Sequence, residues 1–96
     1  MEKTNPEPII ALGRLVATPG ALAALTATGT HPLELLSRHA CGDWGVLCAE
    51  DRRANDCAVA EGERILSAYR LLDGTKLWVI TEWDRSATTI LRPDEY

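Results

Sequence analysis

At 96 residues the chain is one domain with a single modest core, because a chain this short buries only about 60–65% of the surface its unfolded form exposes. Apolar residues make up 46% and charged residues 25%, the balance of a soluble globular protein, which excludes intrinsic disorder. The net charge of −4 disfavours a nucleic-acid partner, which requires a basic face for phosphates; the cations are instead scattered from Arg14 to Arg92.

Residues 1–8 are polar, hold two prolines with Glu2 and Glu7, and read as a flexible N-terminal arm rather than a signal peptide. A single α+β domain is expected over residues 9–96. No stretch approaches the ~20 apolar residues of a membrane span, so no membrane association is expected. The three cysteines form no C-x-x-C pair, which argues against a secreted disulfide framework and for a cytoplasmic setting.

Ile9–Thr18 is ambiguous. Ile9, Leu12 and Val16 approximate helical spacing, yet Gly13 and the β-branched flanks equally permit an extended segment. A first helix is expected from Pro19, capped by Thr18 and ended by Gly29. A second opens at Pro32, carries Leu33, Leu35 and Leu36 as its apolar stripe, and stops at Gly42. A third runs from about Ala49 to Ala60, before Gly62.

Beyond Gly62 the period becomes that of strands. Asp73-Gly74 is a strong hairpin signal. With these two as the central turn residues, Leu72 faces Thr75, Ala68 faces Val79, and Tyr69 faces Trp78 as an aromatic pair. A second turn near Trp83–Ser86 returns the chain for a third strand. The expected fold is α+β: about three N-terminal helices packed on a C-terminal three-stranded antiparallel β-meander. In this register one face carries Ile65, Tyr69, Trp78 and Ile80, and the other Leu66, Ala68, Leu77 and Val79. Helices cover one face only, so the second calls for the N-terminal segment, another subunit or a partner protein.

The stretch "RHACGDWGVLCAEDRRAND" gathers His39, Cys41, Cys48 and Cys57 among seven charged side chains. The intervals match no zinc-binding spacing, and no metal or cofactor is expected. His39 and Cys41 point in different directions at a helix end, which disfavours a shared proton. A hinge accounts for more of the residues. Gly42 and Gly45 permit the reversals, Asp43 holds a turn through its carboxylate, and Trp44 buries a large ring. The chemical alternative is acid–base work on a phosphodiester, with His39 as base, Arg85 on the phosphate, and Ser86, Thr88, Ser67 or Tyr69 as donors.

The segments "LGRLVATPGAL", "RHACGDWG", "ILSAYRL" and "KLWVITEWDRSATTILRPDEY" together resemble a small bacterial family found on plasmids and other mobile elements. Its members are often labelled plasmid-related proteins or type I restriction methylase subunits. The shared pattern is H-x-x-G-D-W-G, then S-x-Y, then W-x-I-T-E-x-D-R-S-x-T-T, with Trp83 a departure where a small residue is expected. A methylase domain with its cofactor pocket does not fit in 96 residues, and no G-x-G loop is present. The resemblance therefore implies a mobile-element setting and does not point to an activity. A helical half before an antiparallel meander is also similar to small ribonucleases of the barnase, EndoU and RelE type, an analogy of fold alone.

Two functions are expected from these readings. The first is an acidic protein-interaction module, self-associating or acting as a counter-defence inhibitor, with Trp83, Arg85, Tyr69 and Trp78 at the contact. The alternative is a small metal-independent ribonuclease using His39, Arg85, Ser86 and Thr88.

Overall fold

Thr18 opens the first helix as the sequence indicates: its extended backbone precedes Pro19, and its hydroxyl accepts from the Ala21 N–H. The computed structural model describes residues 7–96, so most of the expected N-terminal arm lies outside the described residues. Helix α1 spans Pro19–Thr28 and ends at Gly29; α2 spans Pro32–Ala40; α3 spans Ala49–Glu61 and ends at Gly62. His31 caps α2, its Nδ1 accepting from the Leu33 N–H.

The strands are β1 (Arg14–Ala17), β2 (Ile65–Arg70), β3 (Lys76–Thr81) and β4 (Ala87–Leu91), followed by a 3-10 turn at Pro93–Glu95. They form one four-stranded sheet in the order β1-β4-β3-β2, with β1 parallel to β4 and the other pairs antiparallel. This corrects the expected three-stranded meander. The ambiguous segment is extended from Arg14, and β4 would otherwise present a row of unpaired main-chain groups at the sheet edge. Arg14 N–H donates to Ser86 O and Thr18 N–H to Ile90 O, at 2.9 and 3.0 Å, so β1 closes that edge.

The hairpin register also differs by one residue. Leu71 N–H donates to Thr75 O and Gly74 N–H to Leu71 O, closing a three-residue loop of Leu72, Asp73 and Gly74. Gly74 alone takes the left-handed conformation, at φ +91°. This is a type I turn with a glycine bulge; the two-residue alternative would force Asp73 to positive φ as well. Tyr69 therefore faces Leu77, and Trp78 faces Ala68. Tyr69 and Trp78 lie on opposite faces and form no aromatic pair.

The slip decides which side chains are buried. Ile65, Ser67, Tyr69, Leu77, Val79, Thr81, Thr88 and Ile90 now share the face covered by the helices, each no more than 2% exposed. In the two-residue register, Leu77 and Val79 would have pointed away from the helices. The main core joins them to Ala21, Ala24 and Leu25 of α1 and Leu35 and Leu36 of α2. A second cluster holds Ile10, Trp44, Ala58 and Ile65. On the outer face Ala68, Ile80 and Leu91 are also buried, and Trp78 meets the Tyr96 ring edge-on at 5.8 Å.

The two edges of the sheet are unlike. Along β2, the Asn55 side chain of α3 donates to Leu66 O and accepts from Leu66 N–H, replacing a strand. The hinge after α2 continues that cover, with Ala68 N–H donating to Trp44 O and Val46 N–H to Ala68 O. Gly45, at φ +78°, lies so close that a Cβ there would strike Ala68 O. Along β1 no such cover exists among the described residues.

Candidate functional site

The end of α2 is fastened to β2 by the residues of the hinge. Arg38 donates from Nε and Nη2 to the Asp43 carboxylate at 2.6 and 3.3 Å, and its guanidinium lies 4.6 Å over the Tyr69 ring. Tyr69 donates its hydroxyl to Asp43 O at 2.6 Å, while the Asp43 carboxylate also accepts from Gly45 N–H. The bond from Arg38 holds the Asp43 carboxyl below its ordinary range, and burial raises the Tyr69 phenol well above its own. Trp44 is 3% exposed, donates its indole N–H to Asp56, and meets the His39 ring edge-on.

Beneath this hinge runs a chain of buried hydroxyls through His39. Its Nδ1 lies 2.6 Å from Ser67 Oγ and its Nε2 lies 2.8 Å from Thr81 Oγ1. Thr81 Oγ1 lies 2.7 Å from Thr88 Oγ1, and Thr88 donates to Leu12 O at 2.7 Å. The last bond sets the direction of the others. A carbonyl only accepts, so Thr88 spends its one hydrogen on Leu12; Thr81 must then donate to Thr88, and His39 Nε2–H to Thr81. Nδ1 is left as an acceptor for Ser67. The imidazole is neutral, and burial, with the positive Arg85 adding to it, lowers its pKa to about 4.

Arg85 occupies the second turn in the left-handed conformation, at φ +59°. Its neighbours repeat the device of the first turn. Asp84 accepts from Ser86 N–H as Asp73 accepts from Thr75 N–H, and Arg85 stands where Gly74 does. A side chain there costs about 1–2 kcal/mol. The guanidinium offsets that cost by donating to Glu63 O, Glu82 O and Ala58 O at 2.6, 3.1 and 3.1 Å, which ties the end of α3 to the β3–β4 turn.

These positions bear directly on the residues singled out from sequence. His39, Ser67 and Thr88 do come together, across 28 residues from His39 to Ser67, but wholly inside the fold and with both ring nitrogens bonded. Arg85 is committed to carbonyls rather than turned toward a phosphate, and Ser86 contributes main-chain bonds at the turn. Gly42, Asp43, Trp44 and Gly45 form the hinge, and Asp73 and Gly74 the turn. Of the contact residues, Tyr69 is interior, Trp78 is half-buried, and Trp83 is 66% exposed. The arrangement orients helices on a sheet, and its imidazole is shut away from solvent. Among the described residues no three metal-ligating side chains converge, and no helix is long and apolar enough to cross a membrane.

An accessible feature lies beside β1. An open groove of about 590 Å³ is lined by Pro8, Leu12 and Leu15 on one side and Leu33, Leu36 and Ala40 on the other, with Arg38 and Asp43 also among its lining residues. Leu15 is 51% and Leu33 55% exposed. With Arg14 and Thr18 hydrogen-bonded to β4, strand alternation directs the N–H and C=O groups of Leu15 and Ala17 outward. Sequence reasoning missed this site. Its one signal was the apolar "RLVA" run, which is informative only once the segment is known to be a strand.

No family model, curated protein or solved structure matches the chain. The likeness to the plasmid-borne family accordingly rests on the quoted motifs alone.

Proposed function

We propose that this chain is a protein-interaction module that receives an extended partner segment along β1. The observation that supports this most directly is the contrast between the edges: β2 is covered by Asn55 and the Trp44–Val46 hinge, whereas β1 presents main-chain groups that nothing among the described residues covers, beside an apolar groove. Strand addition draws affinity from main-chain bonds and selectivity from pockets for alternate side chains, and this edge supplies both. In the mobile-element setting that the motifs suggest, such docking fits a small acidic protein acting on a host or defence complex.

The test is a selection of displayed peptides against the purified chain. Enriched sequences are expected to alternate apolar and polar residues. N-methylation of one alternate set of peptide amides should abolish binding, and Leu33→Asp should weaken it at least about tenfold. Enrichment of helical or charged peptides insensitive to both changes would overturn the reading.

A further inference from the structure

We infer that one occupant of the β1 edge is a second copy of the same chain, paired antiparallel about a two-fold axis through Val16. The inference rests on the interaction reading above and adds the identity of the partner. It follows from how one short strand matches itself. The outward main-chain groups of β1 belong to Leu15 and Ala17, and in an antiparallel pair centred on Val16 these two residues face each other and exchange both bonds. Val16 then meets Val16 of the second copy at a close, non-hydrogen-bonded position. Val16 is 41% exposed in the single chain and would be covered.

The next pair outward supplies the charge complementarity. Arg14 faces Thr18 of the second copy, and Thr18 is the residue that holds Glu95. Thr18 donates its hydroxyl to Glu95 Oε1 at 2.6 Å, and Gly20 N–H donates to Oε2 at 3.0 Å. This carboxylate is thus fixed at the far end of β1, and its bond from Thr18 holds its pKa below the usual range. Arg14 is exposed and makes no ion pair among the described residues. Symmetry places one Arg14 beside one Glu95 at each end of the new ladder. Such an isologous contact is closed and stops at two chains. It also covers a strand edge that has neither proline nor bulge to block pairing.

The experiment is sedimentation equilibrium over a concentration series, comparing the full chain with Val16→Asp, Val16→Lys and their equimolar mixture. The wild type should dimerise, less tightly as salt rises. Each variant alone sets like charges face to face and should weaken the dimer at least about tenfold, whereas the mixture sets Asp against Lys and should recover it. A wild type that stays monomeric at every concentration, or variants that dimerise like the wild type, would overturn the inference, as would a mixture no better than its components. Should either charged variant fail to fold, Val16→Cys serves instead. Non-hydrogen-bonded partners have Cα atoms about 4.5 Å apart, within disulfide range, so oxidation should yield a 16–16 cross-link identifiable by mass spectrometry. Absence of that cross-link in the folded variant counts against the register. A monomer that still binds strand peptides removes the second copy and leaves the interaction reading standing.

Discussion

Ser67 donates its hydroxyl to Nδ1 of His39 across 2.6 Å, and this bond joins the last turn of α2 to the middle of β2. With Nε2–H directed to Thr81, the ring serves as a neutral two-ended connector inside the core. Residues that suggest acid–base chemistry on paper are here consumed in holding helix and sheet together.

The connector makes stability depend on pH. The folded-state pKa of His39 is lowered to about 4, against 6.5 for a free imidazole. Its contribution is therefore fully present above pH 6.5 and is lost as pH falls toward 4, because the unfolded chain binds a proton that the folded chain refuses. The loss should reach about 3 kcal/mol, at up to ~1.4 kcal/mol per pH unit. Urea denaturation at successive pH values should show this slope in the wild type. His39→Gln should flatten it while lowering stability at pH 7, since buried hydroxyls lose partners. An unchanged slope in His39→Gln would contradict the assignment.

Arg85 separates backbone strain from side-chain bonding. Arg85→Ala keeps a Cβ in the left-handed conformation and removes three bonds to carbonyls; Arg85→Gly removes the same bonds and relieves the strain. Both should destabilise, with Arg85→Gly the more stable of the two by about 1 kcal/mol. Thermal or urea melts of the pair give this ordering directly. The reverse order would contradict it.

Trp44→Ala should cost about 3–5 kcal/mol, a large share of the stability of so small a domain. The indole fills the cluster with Ile10, Ala58 and Ile65 and borders the His39 ring. A variant that melts at the wild-type temperature would show that Trp44 anchors nothing.

The helices were readable because their signals are local. Thr18, Pro19 and Gly29 bracket α1 within a dozen positions, and Pro32 and Gly62 mark neighbouring boundaries in the same way. The hairpin was placed correctly and registered wrongly: Asp73-Gly74 suits both a two-residue and a three-residue loop, and what separates them is the burial of Leu77 and Val79 against helices more than thirty residues upstream. β1 was not readable, since its partner β4 lies at the far end of the chain and the intervals of Ile9, Leu12 and Val16 imitate a helix. The hydroxyl chain was hidden for the same reason. His39, Ser67, Thr81 and Thr88 look like separate reactive residues until the sheet aligns them, and only the carbonyl of Leu12 at its end determines which way the hydrogens run.

Amide exchange at single-residue resolution tests the open edge most directly. In dilute solution Leu15 and Ala17 should exchange as freely as exposed amides, while Arg14 and Thr18, bonded to β4, and Ala68, bonded to the hinge, stay protected. Raising the protein concentration, or adding a selected strand peptide, should protect Leu15 and Ala17 together and leave the others unchanged. Protection of Leu15 and Ala17 already in the dilute chain, or exchange that neither addition slows, would contradict the account.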